Sequence, residues 1–354
     1  MDIVFFRHSL LSRGGDKMIA VYANHLAASG HQVTIKTNIV DTVFTLDERI
    51  SVQALRFPGK LGSILSALLE KSSSDIIIGD IIAMVCLLSL HNRNKLVCFA
   101  QDYDESYYTN ILQKLFIRLL YFLVLTLLKV RTIAVSNRLG DHLHSRFNAD
   151  VSVVENGIDT NIFYFDPNSE LVSKKGERKA VLLHSRTDYR KGFDIAVKMI
   201  SKLVSQSTTQ FEVWTVGVPV QGLFSDCVHR DFGYVGETDL RRIMSSADIF
   251  LYPSRHEGLP LMPLEAMACG CAVVTTTAVP FAIHEENALV AQIEDIESLT
   301  KYLTVMLTDD QQYIRLVEAG KLLVNRHKLS AAARQFEMIL STMRRKETFS
   351  SNEQ

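Results

Sequence analysis

Several things are scarce in this 354-residue chain. Its five cysteines (Cys86, Cys98, Cys227, Cys269, Cys271) show no CxxC spacing. That argues against a disulfide framework or a zinc site and for a reducing compartment. Cys269-Gly-Cys271 reads as small residues at a helix end. Charge of one sign is lacking too, with 38 Lys+Arg against 39 Asp+Glu, so no basic field invites nucleic acid. Long apolar runs are missing. Leu119–Leu128 (LLYFLVLTLL) is half of the ~20 residues a bilayer span requires, and Asp2 and Arg7 break the opening run as no secretory signal would. There is no G-x-G-x-x-G, which counts against a dinucleotide-dependent dehydrogenase.

What is present is an ordinary globular chain, 47% hydrophobic and 22% charged, long enough for about two domains. Short β-branched runs alternate with helical stretches, the pattern of parallel sheets covered by helices. Strands are expected in the first half at Ile3–Phe6, Gln32–Thr37, Asp75–Gly79, Leu96–Ala100, Thr132–Ser136 and Val151–Glu155. In the second half they are expected at Ala180–Ser185, Phe211–Gly217, Asp248–Ser254, Ala272–Thr277 and Ala288–Gln292. The polar, turn-rich stretch Asn161–Lys179 is the linker candidate. The reading is α/β: two doubly wound, Rossmann-like domains facing each other across a cleft. Residues 1–165 form the first, 166–328 the second, 329–345 a final helix packing back on the first, and 346–354 a flexible tail.

Three constellations could carry chemistry. Ser254-Arg-His-Glu257-Gly258-Leu-Pro260-Leu-Met-Pro263-Leu-Glu265 follows a strand and opens a helix, with Pro263 in its first turn and Gly270 at its cap. Two carboxylates then bracket a strand–loop–helix turn whose free amides suit a phosphate, Glu265 lying in the first helical turn. Spacing leaves two readings even: carboxylates that take sugar and ribose hydroxyls, or a helix-dipole partner and a solvated loop acid. Arg186-Thr-Asp-Tyr-Arg190-Lys191-Gly192 places two cations at a strand end, able to clamp a diphosphate or simply to form a solvated loop. Gly14-Gly15 follows the first strand and is by itself only a turn. Asp102-Tyr103-Asp104 spells D-x-D, read here as a hydrated loop rather than a metal site. His8 and His184 read as structural histidines, and His256, beside Glu257, is a somewhat better cleft candidate than either.

In this order and context the motifs resemble family 4 retaining glycosyltransferases of the GT-B fold. The resemblance runs through Gly14-Gly15, Leu26-Ala-Ala-Ser-Gly30-His31, Ala134-Val-Ser136, Asn156-Gly157-Ile158-Asp159, Arg186 with Arg190-Lys191-Gly192, Gly233-Tyr-Val-Gly236 and the E-x7-E pair Glu257–Glu265. It implies that Arg186 and Lys191 hold the donor diphosphate and stabilise the leaving group. Glu265 then takes the ribose, and Glu257, with Gly258 and Leu259, the transferred sugar. Arg186, Lys191 and Glu257 are the catalytic set it implies. Gly14, Gly15, Gln101 and Asp102 line the acceptor side. No metal and no cofactor is expected, the nucleotide sugar being substrate and the acceptor a glycan or lipid-linked sugar in lipopolysaccharide or other surface polysaccharide synthesis. The family's His-Asp is Gln101-Asp102 here, its glycine before the clamp arginine is Ser185, and its acidic loop is Val279-Pro280-Phe281-Ala282. The alternatives are a GT-B-shaped sugar-nucleotide epimerase or hydrolase, and a catalytically idle nucleotide-sugar-binding partner.

One further signal concerns membranes. Between Glu105 and Asp141 lie five basic residues (Lys114, Arg118, Lys129, Arg131, Arg138) and no acid, around LLYFLVLTLL. The segment Tyr107–Arg138 is either a lipid-surface element or a helix buried all round. The expected location is cytoplasmic, associated with the inner face of the cytoplasmic membrane.

Overall fold

The computed structural model describes all residues except 12, 42, 43, 207–209 and 352–354, and the side chains of all described residues except 206 and 345–351. The chain divides into two compact units, Met1–Asn156 together with Ser330–Gln354, and Gly157–Leu329.

The first unit is built on β1 (Asp2–Phe6), β2 (Ser9–Leu11), β3 (Gln32–Lys36), β4 (Ile39–Asp41), β5 (Ser51–Gln53), β6 (Ile76–Gly79), β7 (Leu96–Ala100), β8 (Arg131–Ala134) and β9 (Val151–Val153). Seven of these form one sheet, in the order β5-β3-β1-β6-β7-β8-β9, and β2 pairs separately with β4. Every pairing is parallel. The central strands β1, β6 and β7 are buried along almost their whole length. This is why their sequences run apolar without alternation. Helices α1 (Gly14–Ala28), α2 (Gly59–Leu69), α3 (Ile82–Asn92), α4 (Ile111–Tyr121) and α5 (Asn137–Phe147) cross over between strands. The order reverses direction between β1 and β6, so the topological switch point, where ligands of such sheets bind, lies at their carboxyl ends.

The second unit contains β10 (Lys179–Ser185), β11 (Phe211–Gly217), β12 (Val228–Asp231), β13 (Ile249–Tyr252), β14 (Ala272–Thr276) and β15 (Leu289–Ala291), ordered β12-β11-β10-β13-β14-β15 and again all parallel. Its helices are α6 (Ser169–Lys175), α7 (Phe193–Gln206), α8 (Glu237–Ser246), α9 (Leu261–Ala268), α10 (Ile296–Thr308) and α11 (Asp310–Arg326). Here the switch point falls between β10 and β13.

The stretch Asn161–Lys179 is not a linker, and the boundary lies at Asn156–Gly157 rather than at 165. Its polar residues are spent on α8. Arg241 pairs with Asp166 at 2.8 Å, the Asp166 and Asn168 amides donate to Ser245 and Ser246, and buried Lys175 reaches Asp248 at 2.6 Å. Phe163 is fully buried.

The last helix, α12 (Leu329–Ser351), belongs to the first unit from Ser330 onward. Phe336 stacks on Tyr22 at 4.2 Å and meets Phe99 edge-on. Glu337 reaches His25 at 2.8 Å and His31 at 3.0 Å. The backbone is helical through Ser351, where a loose tail is expected from residue 346; residues 352–354 lie outside the described residues.

Among the described residues no helix is long and apolar enough to cross a membrane. The greasy segment folds as α4 followed by a π-helical turn at Phe122–Leu127. It is not buried all round. Ile117, Leu120, Tyr121, Val124 and Leu125 face the core, while Leu112, Leu115, Phe116, Leu119 and Phe122 are exposed, at three- and four-residue spacing on one stripe. The basic character is smaller than the sequence suggests, because Arg118 forms a two-pronged pair with Glu105.

Candidate functional site

The strand–loop–helix motif of the second unit folds at the switch point. Arg186 follows the last residue of β10. A 3-10 turn at Tyr189–Lys191 then leads through Gly192 into α7. Asp188 caps that turn by accepting from the Arg190 amide at 3.1 Å and holds the Arg190 guanidinium at 2.7 Å. Gly192 sits at φ +69°, and a Cβ there would run into the Pro253 carbonyl. Glycine is therefore required where the β10 loop passes the end of β13.

From the other side come the residues after β13. Glu257 accepts two bonds from Lys191 Nζ, 2.9 Å to Oε1 and 2.8 Å to Oε2. Its Oε1 also accepts from the Tyr252 hydroxyl and from Ser254 Oγ, both at 2.7 Å. The Glu257 side chain is only 5% exposed and that of Lys191 16%. A carboxyl group this buried has its oxygens satisfied by such donors. Arg186 is half-buried and has no hydrogen bond or ion pair among the described residues. Arg190 and Arg255 are committed elsewhere: Arg255 grips Asp194 and Glu294 and lies 3.7 Å over the Tyr189 ring. His184, buried beside Arg186 and Lys191, has its pKa pushed down to about 3, chiefly by burial and then by those cations. It stays neutral and is no proton donor at working pH.

Gly258 and Leu259 are buried in the turn before α9. Helix α9 begins at Leu261 with no side-chain cap on its first amides. Pro263 lies in its first turn, and Gly270, at φ +94°, follows its C-cap. Glu265 is the fifth helical residue, so it lies in the second turn rather than the first, and it is buried. The unit thus brings Arg186, Lys191 and Glu257 to one sheet end, with α9 and Glu265 directly downstream. Tyr252, which no motif includes, and Ser254, which only opens one, orient Glu257. Their signal was polar groups at the carboxyl end of an apolar strand.

In the first unit, Gly14 and Gly15 are the opening residues of α1 rather than a loop. Gln101 lies against Gly15, where a Cβ would come within 2.9 Å of its amide oxygen. Gln101 Nε2 reaches Asp80 Oδ2 at 3.3 Å. The two D-x-D carboxylates have separate tasks. Asp102 Oδ1 accepts from the Tyr103 amide and Asp104 Oδ2 from the Ile82 amide at the start of α3, each at 2.8 Å. Burial, aided by the nearby Asp80 and Asp102 carboxylates, raises the Asp104 pKa to about 7. Among the described residues no group of three His, Cys, Asp or Glu side chains could hold a metal ion.

Comparison with known proteins agrees with this architecture. The family described as Glycosyltransferase Family 4 matches residues 12–162, and that described as Glycosyl transferases group 1 matches residues 178–309. An uncharacterized glycosyltransferase of Haemophilus influenzae is 23% identical, covering 96% of this chain and 99% of its own. The lipopolysaccharide core biosynthesis mannosyltransferase LpcC of Rhizobium leguminosarum is 28% identical over 50% of this chain and 54% of its own. Among solved structures, WaaG, a glycosyltransferase involved in lipopolysaccharide biosynthesis, superposes with a TM-score of 0.77 at 18% identity, covering 96% of this chain and 99% of that one. The chain is a glycosyltransferase of the family 4 type, with the GT-B fold.

Proposed function

We propose that the protein transfers a hexose, mannose first among the candidates, with retention of configuration and without a metal, from a nucleotide sugar to a glycan or lipid-linked acceptor. The product belongs to lipopolysaccharide or another surface polysaccharide. The observation that carries this reading is the unpaired Arg186 beside the Lys191–Glu257 pair at the β10–β13 switch point. Arg186 and the remaining Lys191 proton face the donor diphosphate, and the uncapped amides of α9 add partial positive charge. As the sugar–phosphate bond breaks, negative charge grows on the β-phosphate, and these cations stabilise it more in the transition state than in the ground state. In a retaining displacement the acceptor hydroxyl attacks from the leaving-group face, and the departing phosphate takes its proton. Glu257 Oε2, which meets Lys191 alone among the described residues, takes a sugar hydroxyl. Glu265 takes the ribose. The mannosyltransferase and lipopolysaccharide functions of the relatives support the choice of sugar and pathway.

A thermal-shift screen across UDP, GDP, dTDP and ADP and their sugars tests the donor. Ligand at ~100-fold its Kd adds ~2.7 kcal/mol. Arg186→Ala and Glu265→Ala are expected to abolish the shift for the true donor, and an unchanged shift in both defeats the assignment. Transfer to added acceptor, rather than isomerised or free sugar, excludes the epimerase and hydrolase alternatives.

We also propose that the exposed stripe of α4 rests on the inner membrane surface, bringing a lipid-linked acceptor to a cytoplasmic enzyme. Exposed apolar residues of α2 (Leu61, Ile64, Leu65, Leu69) add to the same unit's greasy surface. Lys114 and Lys129 supply the remaining charge, so binding is chiefly hydrophobic with a modest salt dependence.

A further inference from the structure

The first unit carries a second polar cluster at its own switch point, in which Gln101 is joined by Arg7, Asp80 and Asp16, residues that none of the sequence motifs includes. Arg7 directly follows β1 and Asp80 directly follows β6, the two strands between which the order reverses. Gln101 follows the adjacent β7, and Asp16 lies in the first turn of α1. Arg7 Nη2 binds Asp16 and lies 3.3 Å from Asp80 Oδ2, while its Nε donates to the Ser9 carbonyl. The Arg7 and Asp80 side chains are nine-tenths buried. Three polar atoms are left over: Arg7 Nη1, Asp80 Oδ1 and Gln101 Oε1 are buried with no hydrogen-bond partner.

Orphans of this kind cost roughly 1–3 kcal/mol each, and three at a single ligand-binding position of the fold call for a common cause. Together they offer one charged donor and two acceptors. The Gln101 amide is oriented by its bond to Asp80, because the flipped amide would set oxygen against carboxylate. The cluster carries two carboxylates against one guanidinium. It therefore disfavours a phosphate. Arg7 is braced by Asp16 and Ser9 and is not free to swing toward an anion.

We propose that Arg7, Asp80 and Gln101 form a subsite for a neutral vicinal hydroxyl pair of the acceptor carbohydrate. One hydroxyl donates to Asp80 Oδ1 and accepts from Arg7 Nη1, and its neighbour donates to Gln101 Oε1. Gly15 keeps the α1 side of Gln101 clear of any side chain. This subsite rests on the glycosyltransfer reading above and specifies its acceptor as unphosphorylated at the ring positions held here.

The test is saturation-transfer NMR on the full chain with octyl α-mannoside, octyl α-glucoside and octyl α-galactoside, alongside mannose 6-phosphate. At least one octyl hexoside is expected to bind, and mannose 6-phosphate no better than mannose. Asp80→Asn and, as a variant that leaves the ion pairs intact, Gln101→Met are expected to weaken hexoside binding roughly tenfold, the worth of a hydrogen bond to a charged group. Gln101→Met should keep the wild-type melting temperature, and both variants the nucleotide shift. Hexosides that bind both variants as tightly as wild type, or no hexoside binding to wild type, overturn the subsite. So does tighter binding of the phosphate. Loss of the nucleotide shift in both variants also overturns it by placing these residues on the donor. Failure of the wider reading shows differently, as a wild-type protein unresponsive to every nucleotide.

Discussion

Asp104 is the residue whose chemistry most directly shapes stability. Its folded pKa of about 7 lies above the ordinary aspartate value, so the folded protein binds a proton that the unfolded chain has already released. Between pH 4 and pH 7, on the order of the interval between those values, stability falls as pH rises; the loss is complete above 7. His184 has the opposite sign. Its pKa of about 3 is depressed, so stability rises with pH from there to the ordinary histidine value. The two partly cancel in the wild type. In Asp104→Asn the amide oxygen still accepts from Ile82, and the first contribution disappears. Melting temperatures at pH 5 and pH 8 are expected to show the variant gaining on the wild type at pH 8 and not at pH 5. At Gly192, alanine meets both the left-handed backbone and the Pro253 carbonyl. A loss of roughly 1–3 kcal/mol in urea denaturation is expected, together with loss of the nucleotide shift as Lys191 moves.

Legibility at this scale followed chemistry that is local in sequence. Arg186, Lys191, Glu257 and Glu265 could be picked out because each lies in a strand–loop–helix pattern, Lys191 and Glu257 directly before a glycine. That Glu257 holds Lys191 could not be read, since the partners are 66 positions apart. Arg7 and Asp80 were equally hidden. Each ends an apolar strand, but only the order of strands makes them neighbours.

At the scale of elements, the buried parallel strands were readable because burial on both faces leaves unbroken β-branched runs: β7 and β11 are found where expected, and β1, β6 and β10 differ by one residue. The three-residue strands β2, β4 and β5 and the strand β12 escaped. β4 and β5 are exposed edges with no apolar run to betray them, and β12 holds three polar residues. Helix α4 was ambiguous from composition, since a stripe and an all-round apolar surface differ only in which turns meet the sheet. Its prediction belongs here. Leu112→Ser with Phe116→Ser removes the most exposed part of the stripe and is expected to reduce flotation with vesicles of anionic lipid severalfold without lowering the melting temperature. Equal flotation would show that the stripe does not touch lipid.

At the scale of the whole molecule, the first unit is discontinuous, closed by a helix from the far end of the chain. The sequence pointed to a final helix, but not to the aromatic stack of Tyr22, Phe99 and Phe336. Phe336→Ala is expected to cost ~3–5 kcal/mol in the calorimetric transition of the first unit. The nucleotide shift, which the proposed function assigns to the second unit, is expected to persist.

That discontinuity has a consequence for biosynthesis. The second unit is complete once Leu329 has cleared the ribosome, whereas the first, although begun earliest, lacks its closing helix until the residues from Ser330 onward have followed. During elongation the nascent amino-terminal half therefore waits with Tyr22 and Phe99 uncovered, and a chain cut short before Phe336 carries a finished second unit and a greasy, unsealed companion.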